Sequence, residues 1–421
     1  MTGANDRQDD APAPKSSSGD ETSGLLDSPG DTTGAYSLAQ LVGYFLKLGA
    51  LGFGGPVALV GYMHRDLVER LRWYSEADYK EGLSLAQLAP GPLAAQLAIY
   101  LGFVHYRYLG ATAAGIAFCL PSFAMVVALG WAYQRYNGLG WMQAVFYGVG
   151  AAVIGIIARS AYQLTRRAVG VDVLLWLILA ASAVMTVITE TEYIAFFLGA
   201  GGLVWLVRRP PRIAGGHVAG ALAPLAFWGR AVAMGDDNVL WQMALFFSKA
   251  GAFVFGSGLA IVPFLYSGAV KEYGWLDDAQ FLDAVAVAMI TPGPVVITVG
   301  FIGYLVAGFA GACVASVATF LPCYLFTILP APLFKRYGRR PGIVAFVDGV
   351  TVAAVGAICG AVVVLGRRTL LDDAGDAQWP KIAILAVTLG VLIATKRIPE
   401  PVIVLAAAIV GLVIFPYVGA R

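Results

Sequence analysis

"LAQLAPGPLAAQLAIYLG", residues 85–102, is an apolar stretch nearly long enough to cross a membrane, with Pro90-Gly91-Pro92 in its middle. Proline removes a backbone donor and clashes with the preceding turn, at a cost of ~3 kcal/mol inside a helix. In lipid, a carbonyl freed in this way finds no water. The interruption returns at "VAMITPGPVVITVGFIG", residues 287–303, around Pro292-Gly293-Pro294. A membrane chain that breaks two helices in the same manner has a use for the broken ends.

Composition supplies the setting. Of the 421 residues, 59% are hydrophobic and 13% charged, against roughly 25% charged in soluble domains, and the mean hydropathy is +0.74. Apolar runs follow one another from Leu41 almost to the C-terminus, which predicts an all-α polytopic membrane protein seated in a lipid bilayer. A net charge of +2 gives no footprint for nucleic acid. Cys119, Cys313, Cys323 and Cys359 lie inside apolar runs, and His64, His105 and His217 are scattered, so no metal-ligand spacing and no cofactor motif arises. Residues 1–36 carry seven acidic residues against Arg7 and Lys15; this acidic tail cannot bury a core and is expected to be disordered.

Two halves repeat. "FLKLGALGFGGP" at 45–56 lies over "FSKAGAFVFGSG" at 247–258, an offset of 202 that also pairs Trp73 with Trp275, Glu81 with Asp283 and the two Pro-Gly-Pro motifs. One deletion later the offset is 201, and "FCLPSF" at 118–123 meets "TFLPCY" at 319–324. The expected organisation is a first repeat over 37–207, a polar connector over 208–238 and a second repeat over 239–418. Basic loops stay cytoplasmic. The loop at 64–80 is basic while its counterpart is not, and 331–342 is basic while its counterpart at 134–140 is not. The halves are therefore read as inverted repeats, with about 10–13 transmembrane segments in all and one segment per half re-entrant, or else a further span within the connector.

Inverted repeats with matched Gly/Pro-interrupted segments point to an alternating-access transporter whose site lies where the repeats meet. A helix that resumes after Pro-Gly-Pro exposes its N-terminal amides, equivalent to about half a positive charge, to an anion. Pro90, Gly91 and Pro92 with Pro292, Gly293 and Pro294 are thus the first binding candidates. The second motif is Phe53-Gly54-Gly55-Pro56, matched by Phe255-Gly256-Ser257-Gly258, where adjacent glycines allow close approach of a ligand to the backbone. Lys47 and Lys249 occupy equivalent places six residues before each motif's phenylalanine and either counter an anion or snorkel to the interface. Glu81 and Asp283 pair with the lysines, carry a coupling proton, or simply favour a helix N-terminus. Ser75 and Asp277 suit helix N-caps, Trp73 and Trp275 interfacial anchors, and Arg159 and Asp348 either pair across the repeats or act singly. No histidine is placed to activate Ser257 as a nucleophile, and no catalytic constellation appears.

With both repeated motifs in view, the chain over about 37–418 resembles the chromate ion transporter family in its long form with two homologous halves. The resemblance rests on "FGGP", "WYSEADYKEGLSLAQLAPGP" and "APGPLAAQLAIYLG" in the first half and on "FGSG" and "TPGP" in the second. It implies a multi-pass protein of the cell (inner) membrane that exports chromate from the cytoplasm, driven by the membrane gradient, and confers chromate resistance. There is no Walker-type phosphate loop, and a secondary carrier needs none. A broader, sulfate-like oxyanion carrier, a passive anion channel and a membrane reductase are the competing readings, the last without a flavin or dinucleotide fingerprint. A homo-oligomer is compatible with all of them.

Overall fold

The computed structural model describes residues 35–53, 55–136, 140–191, 193–208, 238–254, 258–332, 334, 340–371, 375–395, 398 and 400–418. The acidic tail up to residue 34 and the connector over 209–237 lie outside the described residues. The described chain is helical, and each half contributes the same series. In the first half these are α1 (Leu38–Leu51), α2 (Gly55–Met63, prolonged by a π-helical stretch His64–Arg70), α3 (Glu76–Leu88), α4 (Leu93–Tyr136), α5 (Gly140–Ala168), α6 (Val173–Thr189) and α7 (Ile194–Arg208). In the second they are α8 (Val239–Ala252), α9 (Val262–Tyr266, prolonged over Ser267–Glu272), α10 (Asp278–Ile290), α11 (Thr298–Ile328), α12 (Pro341–Leu370), α13 (Trp379–Ala394) and α14 (Glu400–Val418).

Local chemistry sets the starts. Ser75 accepts from the Asp78 amide to open α3, and Asp277 accepts from the Gln280 amide to open α10, so both expected N-caps form. α4 is not one rod. Its backbone turns back at Arg107 (φ 49°, ψ −139°), and the arms then pack so closely that a methyl on Gly102 or Gly110 would meet the other's carbonyl. α11 turns at the equivalent Gly308 (φ 60°), with Gly303 against Gly311. Small residues permit this approach, and dispersion between backbones then holds the hairpin.

The Pro-Gly-Pro segments are also hairpin tips. Gly82 of α3 lies against the Tyr100 ring of α4, and the Tyr74 hydroxyl reaches the Leu101 carbonyl at 2.8 Å. The broken helix therefore folds back as two arms. Each is about 20 Å long at 1.5 Å per residue, too short to cross a hydrocarbon core of ~30 Å. The chain also turns back between α1 and α2, where Gly52 lies against the Leu59 side chain. Both hairpins stand on one aromatic base, where Tyr36 stacks on Trp73 at 4.6 Å and Tyr74 on His105 at 5.1 Å. In the second half Trp275 stacks on Tyr273 at 4.5 Å. The anchor tryptophans are the hairpins' footing.

Inversion is visible in the packing of equivalent helices. Along the second arms of α4 and α11, Thr112 meets Tyr324 (2.6 Å) while Phe123 meets Phe309 (6.3 Å between rings). Partner numbers fall as residue numbers rise, so the arms run antiparallel. The halves also exchange their last two helices. α6 and α7 pack on α12, and α13 and α14 on α5, with the Ser182 hydroxyl on the Ala353 carbonyl at 2.6 Å.

Ion pairs pin the exchanged helices at their ends. Arg208 holds Asp172 at 2.6 Å and Asp348 at 3.0 Å. Asp348 therefore pairs with the end of α7 rather than with Arg159, because α7 is the helix laid along α12. Glu190 holds Lys271 and Arg368, each at 2.7 Å. The Arg208 hydrogen bond keeps Asp172 below its ordinary carboxyl range; at Glu190, burial acts upward but is outweighed by its two cations. With both folded-state values depressed, this stabilisation is complete at neutral pH and fades only as pH falls below about 4.

Gly110→Leu should destabilise the purified protein by about 1–3 kcal/mol, since the added atoms overpack the α4 hairpin. Gly43, inside α1, whose added methyl meets nothing within 4 Å, is the control: Gly43→Ala should leave the melting temperature unchanged or slightly raised. Arg107→Gly should raise it, because a left-handed non-glycine turn costs on the order of 1–2 kcal/mol. Thermal unfolding in detergent measures all three.

Candidate functional site

The hairpin tips meet at the interface between the repeats, and they meet crosswise. The Gly91 amide donates to the Val254 carbonyl at 2.5 Å, and the Gly293 amide donates to the Gly52 carbonyl at 2.9 Å. Gly91 corresponds to Gly293 and Gly52 to Val254, so one hydrogen bond occurs twice under the pseudo-symmetry. Each half's Pro-Gly-Pro turn is bonded to the other half's glycine turn. Both glycines carry positive φ (144° and 90°), and an added methyl at Gly293 would collide with Ser122.

Side chains complete the tips. Ser122, fully buried, lies 2.7 Å from the Pro292 carbonyl and 3.2 Å from the Gly49 carbonyl; its single proton serves the shorter contact. Its equivalent, Cys323, sits 3.6 Å from the matching Gly251 carbonyl. Pro90 has a different partner, Gln96 Nε2 at 2.7 Å. The Pro90 and Pro292 carbonyls in the turns are thus supplied with donors from within the protein, as a lipid setting requires.

The expected site residues therefore separate. Pro90, Gly91, Pro92, Pro292, Gly293 and Pro294 form the tips, and Gly52, Phe53 and Gly55 lie against the second of them around a small cavity of 20 Å³. That is room for about one water. Thr291 and Glu400 share its wall. Gly258 packs on Val295 and Val296, just after the second Pro-Gly-Pro. Gly54, Phe255, Gly256 and Ser257 lie outside the described residues. Lys47 is exposed and Lys249 half-buried; neither lines the cavity, and neither makes an ion pair with another described residue.

The matched acids also differ. Glu81 hydrogen-bonds Tyr100 within its own half. Position 301, equivalent to Tyr100, is Phe, and buried Asp283 accepts instead from Tyr133 of the other half at 2.7 Å. Neither acid pairs with the lysines. A larger cavity of about 530 Å³ lies between α4 and α11, lined by matched residues such as Ile116/Val317 and Leu120/Leu321. Its apolar wall has no charge for an anion.

A family model described as "Chromate transporter" matches residues 39–205 and 241–412, one segment per half. The chain belongs to the chromate transporter family. It is 63% identical over 398 residues to the "Chromate transport protein" of Cupriavidus metallidurans, covering 92% of this chain and 98% of that protein. It is 61% identical over 382 residues to the "Probable chromate transport protein" of Synechococcus elongatus, covering 90% and 96%. A "Chromate transport protein" of Pseudomonas aeruginosa is 33% identical over 397 residues, covering 91% and 94%. No solved structure matches the chain. Family and architecture agree: this is a multi-pass membrane transporter, not an enzyme.

Sequence reasoning passed over Ser122, Gln96, Thr291 and Glu400. Ser122 had a signal, because its "LPSF" motif repeats as "LPCY". Glu400 had a fainter one, an acid between two prolines at the head of an apolar run. Ser122→Ala should cost about 1–3 kcal/mol by leaving the buried Pro292 carbonyl unsatisfied. Ser122→Cys, which installs the second half's own choice, should recover much of that loss; differential unfolding of the purified variants separates the two.

Proposed function

We propose that the chain is a secondary active transporter that exports chromate from the cytoplasm across the inner membrane and so confers chromate resistance. The observation that carries the reading is the crosswise bonding of Pro-Gly-Pro and glycine turns at the inverted interface, in a chain of the chromate transporter family. A site shared equally by two inverted halves can be offered to either side of the membrane by tilting one half against the other. Phe53, Gly54, Gly55 and Pro56 with Pro292, Gly293 and Pro294 make one half-site. Phe255, Gly256, Ser257 and Gly258 with Pro90, Gly91 and Pro92 make its mate. The central glycine amides are engaged across the repeat, so the oxyanion is held by the next amides, those of Leu93, Ala94 and Ala95 opening α4 and of Val295 and Val296 in the other half. Lys47 and Lys249 raise the anion's concentration at the approaches, and Asp283 and Glu81 are the candidates for carrying a coupling proton.

Energetics favour the direction. Moving a dianion out of a negative-inside cell is downhill by ~4.6 kcal/mol per 100 mV, at ~2.3 per charge. The cavity of 20 Å³ supports a carrier over an open channel, because the tips must part before a tetrahedral oxyanion fits. Backbone donors read charge and shape, so sulfate is the rival substrate.

Everted vesicles containing the protein should accumulate labelled chromate when energised, and should do so in the presence of excess sulfate. Accumulation abolished by sulfate identifies a broader oxyanion carrier, and equilibration without accumulation identifies a channel. Gly91→Ala and Gly293→Ala should each reduce the initial rate at least tenfold with the protein still in the membrane. Asp283→Asn should lose energised accumulation while keeping chromate exchange.

A further inference from the structure

The two Pro-Gly-Pro hairpins share a fold but not a seating. α10 packs on α5 and α14 as well as on its own second arm in α11, and α9 packs on α12. α3, the counterpart of α10, packs on α4 and on the His64–Arg70 stretch of its own half. Among the described residues it has no comparable seat on α12 and α7, the equivalents of α5 and α14. One hairpin is docked and the other is not.

Charges at the hairpin bases repeat this difference. In both halves the first acid of the helix meets the residue 12 positions before it: Asp278 accepts from the Tyr266 hydroxyl at 2.7 Å, and Glu76 lies 2.9 Å from His64 Nε2. Asp278 is also held by Arg368, from the end of α12, at 2.9 Å. Arg167 occupies the same place at the end of α5. It makes no ion pair among the described residues, and Glu76 takes Lys80 of its own helix at 3.1 Å. The docked base has one further tie, Lys271 on Glu190 at 2.7 Å; the matched positions are Glu69 and Val391, which cannot form it. Arg166 and Arg367 are matched and do not distinguish the halves. Asp372, Asp373, Lys396 and Arg397, which follow α12 and α13 in the chain, lie outside the described residues.

Inverted halves can adopt each other's arrangement, and exchanging the two converts a state closed on one face into one closed on the other. We propose that Arg368–Asp278 and Arg167–Glu76 are reciprocal latches: in the opposite state Arg368 releases Asp278, Arg167 takes Glu76, and α3 seats on α12 and α7. The latches stand on opposite faces of the membrane, because the basic 64–80 loop and its counterpart do. One ion pair is exchanged for another of the same kind, so the two states stay close in energy, as a cycling carrier needs. The Lys271–Glu190 tie then biases the resting molecule toward the docked second hairpin. The inference rests on the alternating-access reading above and names contacts that alternate.

The test places cysteines at the latch that stands open. In purified Glu76→Cys/Arg167→Cys protein, a short bis-maleimide should link the two positions in a minor fraction of molecules, read by mass spectrometry of the joined peptides. The unaltered chain, with its four native cysteines, is the control. Adding Glu190→Gln, which removes the tie on the other face, should raise the linked fraction at least threefold. No link in either protein, or an equal fraction in both, overturns the proposal. In everted vesicles Arg167→Glu should lower the chromate uptake rate at least tenfold, and adding Glu76→Arg should make uptake at least threefold faster than in Arg167→Glu alone. An Arg167→Glu rate near the unaltered one, or a double variant without that rescue, also overturns it. Vesicles of unaltered protein that accumulate no chromate defeat the export reading instead, and the cross-link still decides the latch.

Discussion

Two hydrogen bonds hold the centre of this molecule: Gly91 to Val254 and Gly293 to Gly52. Each joins a turn of one half to a turn of the other, and each is possible only because the donor residue is a glycine with positive φ. The elements around them bring the Pro-Gly-Pro and glycine turns of the two halves together. The aromatic footings at Trp73 and Trp275 fix the bases of the hairpins, and the glycine contacts in α4 and α11 set the distance between arms. The exchanged helices hold the halves in antiparallel register. A pair of backbone hydrogen bonds is a weak joint, on the order of 0.5–1.5 kcal/mol each, compared with the apolar packing on either side. A joint of that strength can open when one half tilts against the other.

Pseudo-symmetry here is kept in the backbone more strictly than in the side chains. Arg72 and Gly274 share a left-handed conformation, as do Arg107 and Gly308, although only one of each pair is the residue that conformation favours. Ser122 and Cys323 address equivalent carbonyls with different atoms. Tyr100 serves Glu81, whereas Phe301 cannot serve Asp283, which turns to Tyr133. A duplicated scaffold with unequal side chains gives matched turns of one geometry with different side-chain partners.

The ends of the exchanged helices bear the charge that the interior avoids. Arg208 ties α6, α7 and α12 together on one face; Glu190, Lys271, Arg368 and Asp278 tie the other. Both clusters join elements from different halves, so a tilt of the repeats strains them directly. Their side chains stay partly exposed at the helix ends. At the central tips the Pro90 and Pro292 carbonyls take protein donors instead, Gln96 and Ser122.

Much of this was legible in the chain alone. Hydropathy declares the membrane, because burying apolar runs in lipid needs no tertiary partner. A constant offset across the repeat declares the duplication, and the asymmetry of basic loops declares the inversion. Pro-Gly-Pro and the glycine motif announce themselves because backbone chemistry is local: a missing donor and a positive φ are properties of the residue. Partnership is not local. That Gly91 bonds to Val254 rather than to its own half, that Asp348 finds Arg208 instead of Arg159, and that Glu400 enters the wall of the small cavity beside Gly293 all depend on where helices far apart in sequence are laid. Lys47 and Lys249 held equivalent positions in the sequence, yet the helix faces turned them away from the tips. Tertiary packing decided these matters, since a side chain's neighbours in a membrane fold are set by helix exchange and rotation, which no single segment encodes.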